Sequence, residues 1–383
     1  MMKFPHKCLA LPLFGLLLLV AAPCTGAQGR VELGGYYKNL LTASTAASGR
    51  GFTGDLNRLR VEIDARAAEG LRAYAAFDSE AVLGSVLDTA EFRAAKRSRA
   101  ANLFDLSATT LDRDAVFWRQ SVYRAYLAYE HGPATVTAGR QRVALGTGRI
   151  WNPEDLLNPI SPLQIERDER TGTDAVQVEV ATGPLSAATF VYAPGRGPGS
   201  ESFLVRGRLN RSGYDLSGLI GSFKRDRVIG IDFSGYVMDS GLRGELAYTL
   251  PDAGDGFLRA VVSFDHTFPS TLYFLAEYLY NGGNDEDLAN PAAAVSASSA
   301  EILTKNRNFV GLGAAYDLTP LVRLEGLAVL DIDGASAFLG PSLRYNILEN
   351  LDLTAGVQVF TGRDGGEYGD ASDVYYGQLQ LYF

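Results

Sequence analysis

Arginines recur in pairs two residues apart: Arg58 with Arg60, Arg140 with Arg142, and Arg206 with Arg208. A spacing of two puts both side chains on one face of a β-strand. Glu62 and Asp64 continue the face begun by Arg58 and Arg60, and Arg124 sits in a similar alternating stretch, "SVYRAYLAYE". Such faces can form a lattice of cross-strand ion pairs, or can line a wet path for charged solutes. Catalysis finds little support. Beyond the first 27 residues the histidines are His131 and His266, and no metal-ligand spacing appears. Ser263 and Ser270 lie near His266 in sequence, which would be the weakest form of a hydrolase. No catalytic residue, metal or cofactor is expected.

A second concentration of chemistry is the stretch "GTGRIWNPEDLLNPISPLQIERDERTGTD", Gly146 to Asp174. It combines Trp151 with a dense acid–base set: Arg149, Glu154, Asp155, Glu166, Arg167, Asp168, Glu169 and Arg170. Its apolar residues, among them Ile150, Leu156, Leu157, Ile160, Leu163 and Ile165, would be costly in water. The loop must therefore pack on something, either inside the fold it belongs to or as a cap on its rim. "GTGR" is no phosphate loop, because no GK[ST] follows and no helical pattern opens there. Asp285, Glu286 and Asp287 read as a solvated acidic tip rather than a calcium loop.

The elements that must position these residues are strands. In "LRVEIDAR", Leu59, Val61, Ile63 and Ala65 face one way while Arg60, Glu62, Asp64 and Arg66 face the other. The alternation recurs from Val31 to Phe383, in runs of about ten residues followed by a turn signal, the pattern of a transmembrane β-barrel. Short connections ("AAEGL", "EHGPA", "ATGPL", "NRSGY", "MDSGL", "TFPST", "DLTPL", "ILENL") alternate with mostly longer ones. The longest fall at about 82–118, 147–172 and 281–306. Counting through them gives an all-β chain, a single antiparallel barrel of about 18 strands (roughly 16–20), with both termini at the short-turn end. One position resists the pattern. If Arg140 and Arg142 point inward, Gln141 faces lipid, which calls for a bulge or a place near the rim.

The beginning of the chain supplies a compartment. Residues 1–27 carry Lys3 and Lys7, an apolar run and small residues before a cut after Ala27, as a secretory signal peptide does, which leaves 28–383 for the barrel. Both cysteines, Cys8 and Cys24, lie in that leader, so the remainder has no disulfide framework and no haem-attachment CxxCH. A net charge of −9 argues against nucleic acid as a partner.

The leader, the alternation, the two turn classes and the last strand, "DVYYGQLQLYF", together resemble a Gram-negative porin. The resemblance is architectural and covers the chain after the leader. It implies residence in the outer membrane, contact with its lipid, and a third long loop that folds into the channel and narrows it. It also implies that Phe383 is a signal read by the barrel-assembly machinery. The expected function is passive diffusion of small hydrophilic solutes, with weak anion preference set by the paired arginines. Two other readings stay open: a structural sleeve around a partner such as a cytochrome in an electron conduit, and an outer-membrane hydrolase. A homo-oligomer, or a periplasmic or surface partner, is compatible with each.

Overall fold

The computed structural model describes residues 29–46, 48–97, 102–158, 161–166, 170, 172–286, 288 and 302–383. The leader expected at 1–27 lies outside them. The first three strands are β1 (Arg30–Thr45), β2 (Gly51–Ala68) and β3 (Leu71–Leu83). After helix α1 (Ala90–Arg97) come β4 (Ser107–Arg113), β5 (Val116–His131), β6 (Ala134–Gln141), β7 (Thr173–Gly183) and β8 (Ser186–Ala193). Then follow β9 (Ser202–Arg211), β10 (Tyr214–Phe223), β11 (Asp226–Val237), β12 (Ser240–Leu250), β13 (Phe257–Thr267) and β14 (Tyr273–Asn281). The last five are β15 (Asn308–Thr319), β16 (Val322–Asp331), β17 (Ser336–Leu348), β18 (Leu351–Thr361) and β19 (Val374–Tyr382).

Every pairing is antiparallel between neighbours, and β1 pairs with both β2 and β19, so the sheet closes. The wall has 18 strands. The remaining one, β4, lies above the wall: it pairs with Val116–Ser121 of β5, while the lower part of β5, Ala125–His131, pairs with β6. Closure removes every free edge of that 18-strand wall, which is what a bilayer without hydrogen-bonding solvent demands. Among the described residues no helix is long and apolar enough to cross a membrane, which says nothing of crossing by strands.

Alternation sets the two surfaces. Outward positions carry large exposed apolar side chains, such as Ile220, Ile229, Ile231, Leu246, Phe264 and Leu343. Inward positions fall into two kinds. Low on the wall they are polar. Higher up, two apolar clusters form on the inner face. One joins Val191, Leu204, Leu219, Phe223 and Val228, and the other joins Val261, Leu275, Leu279, Phe309, Leu327, Val329 and Phe338. An inward apolar patch facing a wet lumen would be unfavourable, so something must cover it.

Candidate functional site

The loop between β6 and β7 is that cover. Its Val143, Leu145 and Leu156 complete the first inner cluster, and its Ile150 and Trp151 complete the second. Trp151 and Phe309 place their ring centroids 6.2 Å apart at a tilt of 53°. The loop thus enters the barrel, and its apolar residues pack against the upper inner wall.

Two wall carboxylates hold it there by its backbone. Glu277 of β14 accepts the N–H groups of Arg149 (2.8 Å), Ile150 (2.9 Å) and Trp151 (2.7 Å). Glu245 of β12 accepts those of Thr147 and Gly148, and more weakly that of Glu154 at 3.4 Å. Successive N–H groups curled around an anion form a nest, the device that phosphate loops use. Here the "GTG" turn wraps a carboxylate of the protein's own wall. Gly146 has φ +70°, and a side chain there would run into Asn152 and the Glu245 carboxylate. The far end of the loop is tied to the opposite wall. Glu166 bridges Lys38 of β1 (2.8 Å) and Arg58 of β2 (2.6 Å), and Gln358 of β18 donates to the Leu163 carbonyl at 2.8 Å. The loop therefore contacts the wall on both sides of the lumen.

The expected lining residues separate into groups. Arg58, Arg60, Glu62 and Asp64 share the inner face of β2, opposite the outward Leu59 and Val61. Arg58 also pairs with Glu80 at 2.7 Å. Arg60 forms a bidentate pair with Asp78 at 2.6 and 2.7 Å, its guanidinium 3.6 Å from the Tyr123 ring centroid. Asp64 takes a bidentate contact from Arg72 near the short-turn end. Arg124 points inward and reaches the Arg170 carbonyl at 3.4 Å. Arg206 joins Ser217 (2.9 Å) and Asp232 (2.8 Å), whereas Arg208, two residues on along the same inner face, is exposed. Most of these arginines are thus matched by carboxylates.

Arg140 corrects the expectation. It shares its face of β6 with the exposed Val136, so it points out of the barrel, and Gln141 points in to the Thr137 and Ala175 carbonyls. The physical reason is a cover over the outer rim. Arg140 binds Asp174 at 2.8 and 3.0 Å and donates to the Phe104 carbonyl, while the Phe104 N–H donates to Asp174. Residues 102–104, between α1 and β4, lie across the outside of β6 and β7, and a buried ion pair replaces lipid contact. Arg142 follows the end of β6, is exposed, and acts by charge on the inner-loop Asp155. Arg140 does not line the lumen.

In the loop itself, Glu154 is fully buried, and neither carboxylate oxygen finds a donor among the described residues. It lies against Gly230 of β11, where any side chain would collide with it. Burial, with Asp232 and Glu245 nearby, pushes its carboxyl up to about 9. Asp155 caps the Asn158 N–H at 3.1 Å and pairs with Arg170 at 3.3 Å, yet burial still raises it to about 8. Arg149 is exposed, while Trp151 is buried. Arg167, Asp168 and Glu169 lie outside the described residues, as does Asp287. Sequence reasoning passed over the anchors Glu245 and Glu277 as ordinary inward charges; Glu277 alone carries a signal, an acid between the apolar inward neighbours Leu275 and Leu279, whereas Glu245 sits beside Arg243 and opposite Asp232. His266 meets Ser240 at 3.0 Å on the outer face, whereas Ser263 sits on the inner face opposite Glu277. No group of His, Cys, Asp and Glu able to hold a metal occurs among the described residues.

No protein-family model matches the chain, and no curated protein matches its sequence. Solved structures match its fold. The crystal structure of Pseudomonas aeruginosa OccK5 (OpdH) aligns with a TM-score of 0.60 at 10% identity, covering 92% of this chain and 97% of that one. The outer membrane protein OprD of Pseudomonas aeruginosa gives 0.57 at 10% identity, with 94% and 95% covered. Acinetobacter baumannii OccAB3 gives 0.57 at 9% identity, with 92% and 99% covered. At such identities the likeness concerns the fold alone: this chain shares the closed β-barrel fold of these structures.

Proposed function

We propose that the chain is a porin-like channel of the outer membrane, through which small hydrophilic solutes diffuse passively. One observation supports this above the rest. A wall of 18 strands, wide enough for an aqueous channel, holds the β6–β7 loop inside it by backbone contacts to Glu245 and Glu277 and by ion pairs to Lys38 and Arg58. A tethered loop narrows a channel to a set width; it would obstruct a sleeve built to enclose a protein. The low, polar part of the lumen, with Arg124, Arg208, Glu62 and Asp64, forms the path below the loop. Because Arg58, Arg60 and Arg206 are matched by acids, anion preference is weak and rests on Arg124 and Arg208. No catalytic role is proposed, since the Ser240–His266 pair has no carboxylate partner among the described residues.

Swelling of liposomes that contain the purified barrel tests the reading. Uncharged sugars and small organic anions should enter at rates that fall with size, with no added partner. Liposomes that stay impermeable to every solute, or barrels that purify with haem absorbance, would overturn it.

A further inference from the structure

The β6–β7 loop sits on β11 and β12 among carboxyl groups. Asp232 and Glu245 stand directly opposite each other on the inner face of these strands, and like charges so placed repel. Glu245 is matched by the N–H groups of Thr147, Gly148 and Glu154. Asp232 Oδ2 is matched by Arg206 of β9 at 2.8 Å. The loop then adds a third carboxyl, Glu154, which is fully buried against Gly230, the inward neighbour of Asp232 on β11. The charged groups that face Glu154 are Asp232, Glu245 and Arg206, and of these three only Arg206 is a cation.

The carboxyl groups of Glu154 and Asp232 lie within hydrogen-bonding reach of each other. Yet both Glu154 oxygens and Asp232 Oδ1 are buried with no donor among the described residues. Ionised carboxylates can only accept, so two of them in contact repel and satisfy nothing. Buried polar atoms without a partner are rare, and each calls for a cause. One proton supplies it. Placed on Glu154, it turns that carboxyl into a donor, gives Asp232 Oδ1 its missing bond and removes one of three negative charges. Asp232 is the better carboxylate of the two, because Arg206 already holds its other oxygen. Glu154 is the better acid, because no donor reaches it.

We infer that Glu154 and Asp232 share one proton, and that this proton holds the loop against β11 and β12. Two carboxyls forced together in this way hold a single proton between them. Burial also pushes the Glu154 carboxyl up to about 9, in keeping with a proton retained there at neutral pH. Loss of the proton leaves Glu154 ionised against Asp232 and Glu245, which drives this side of the loop off the wall. The other side is tied by Glu166 to Lys38 and Arg58. Those pairs need no proton, so the loop swings from β11 and β12 while its far end stays in place. How the loop is held is independent of what passes through the lumen.

Trp151 reports docking without any measurement of current. It is buried in the second inner cluster, and the chain's other tryptophan is the exposed Trp118. In a Trp118→Phe barrel, Trp151 emission should be blue and shielded from acrylamide near pH 6, and should turn red with several-fold more quenching near pH 10. Adding Glu154→Gln, whose amide donates to Asp232 without a titrating proton, should keep the emission blue at both pH values. Adding Asp232→Asn instead supplies the donor from the other side and should do the same, each barrel remaining heat-modifiable. The infrared carbonyl band of protonated carboxyls at pH 7 should lose intensity in Glu154→Gln. Emission that does not change with pH in the Trp118→Phe barrel would overturn the inference, as would an equal red shift in Glu154→Gln or an unchanged infrared band. Blue emission restored near pH 10 by sodium or calcium would also overturn it, by placing a metal cation where the proton is assigned.

Discussion

Gly35 and Phe383 exchange a pair of backbone hydrogen bonds, 3.0 Å from the Gly35 N–H to the Phe383 carbonyl and 3.1 Å in return. The last residue of the chain is thereby the last bond of the wall. Gly35 has φ +154°, and a side chain there would run into the Arg60 carbonyl and stand 3.0 Å from the Phe383 ring. Gly35→Ala should therefore cost the closed barrel about 1–3 kcal/mol. Unfolding in urea with lipid vesicles measures it; an unchanged midpoint would show that the seam tolerates a side chain.

Phe383→Ala, or a charged tail after Phe383, should leave secretion intact and reduce the amount of assembled barrel. The ring is 61% exposed on the outside of the seam, so the folded wall loses little packing without it. Its importance would lie in assembly. Normal levels of heat-modifiable, membrane-embedded barrel in both variants would contradict this.

Val61 and Glu62 test the facing of β2. Val61 shares the outward side of the strand with Leu59, and Glu62 shares the inward side with Arg60. Val61→Arg should destabilise the barrel by about 2–4 kcal/mol more than Glu62→Arg if the site lies near the midplane. Equal urea midpoints in vesicles would mean that the strand is turned the other way.

Much of this was legible in the sequence, and what was not has a physical cause. A side-chain period of two is a local property, so "LRVEIDAR" announces which residues of β2 face in. Turn lengths are local too, and they gave the strand number and the position of both chain ends. Arg140 was misplaced because its facing depends on residues 102–104, about 36 positions away, which bury the outer rim and make a charge tolerable there. The loop anchors were invisible for the same reason: Glu277 meets Arg149 across 128 positions.

Glu154 makes the loop sensitive to pH. Its carboxyl is raised from an ordinary 4.5 to about 9 by burial and by Asp232 and Glu245, which Arg206 only partly offsets. A carboxyl raised in the folded state stabilises that state below its ordinary value and loses that contribution as pH climbs through the raised one. The docked loop should thus be firmest near pH 5 and loosen towards pH 9, with more current noise at alkaline pH. Glu154→Gln should flatten the profile, whereas a profile that rises equally in both proteins would assign the effect elsewhere.

Single-channel conductance of the purified barrel, compared with a variant lacking Ile150 to Ile165, tests the central claim most directly. That deletion removes Ile150, Trp151 and Leu163, the side chains by which the loop packs on the second inner cluster. The native barrel should show discrete, low conductance steps, and the deletion should raise the step size several-fold while the barrel remains heat-modifiable. Identical steps in the two proteins, or no steps in the native barrel, would contradict a channel narrowed by its inward loop.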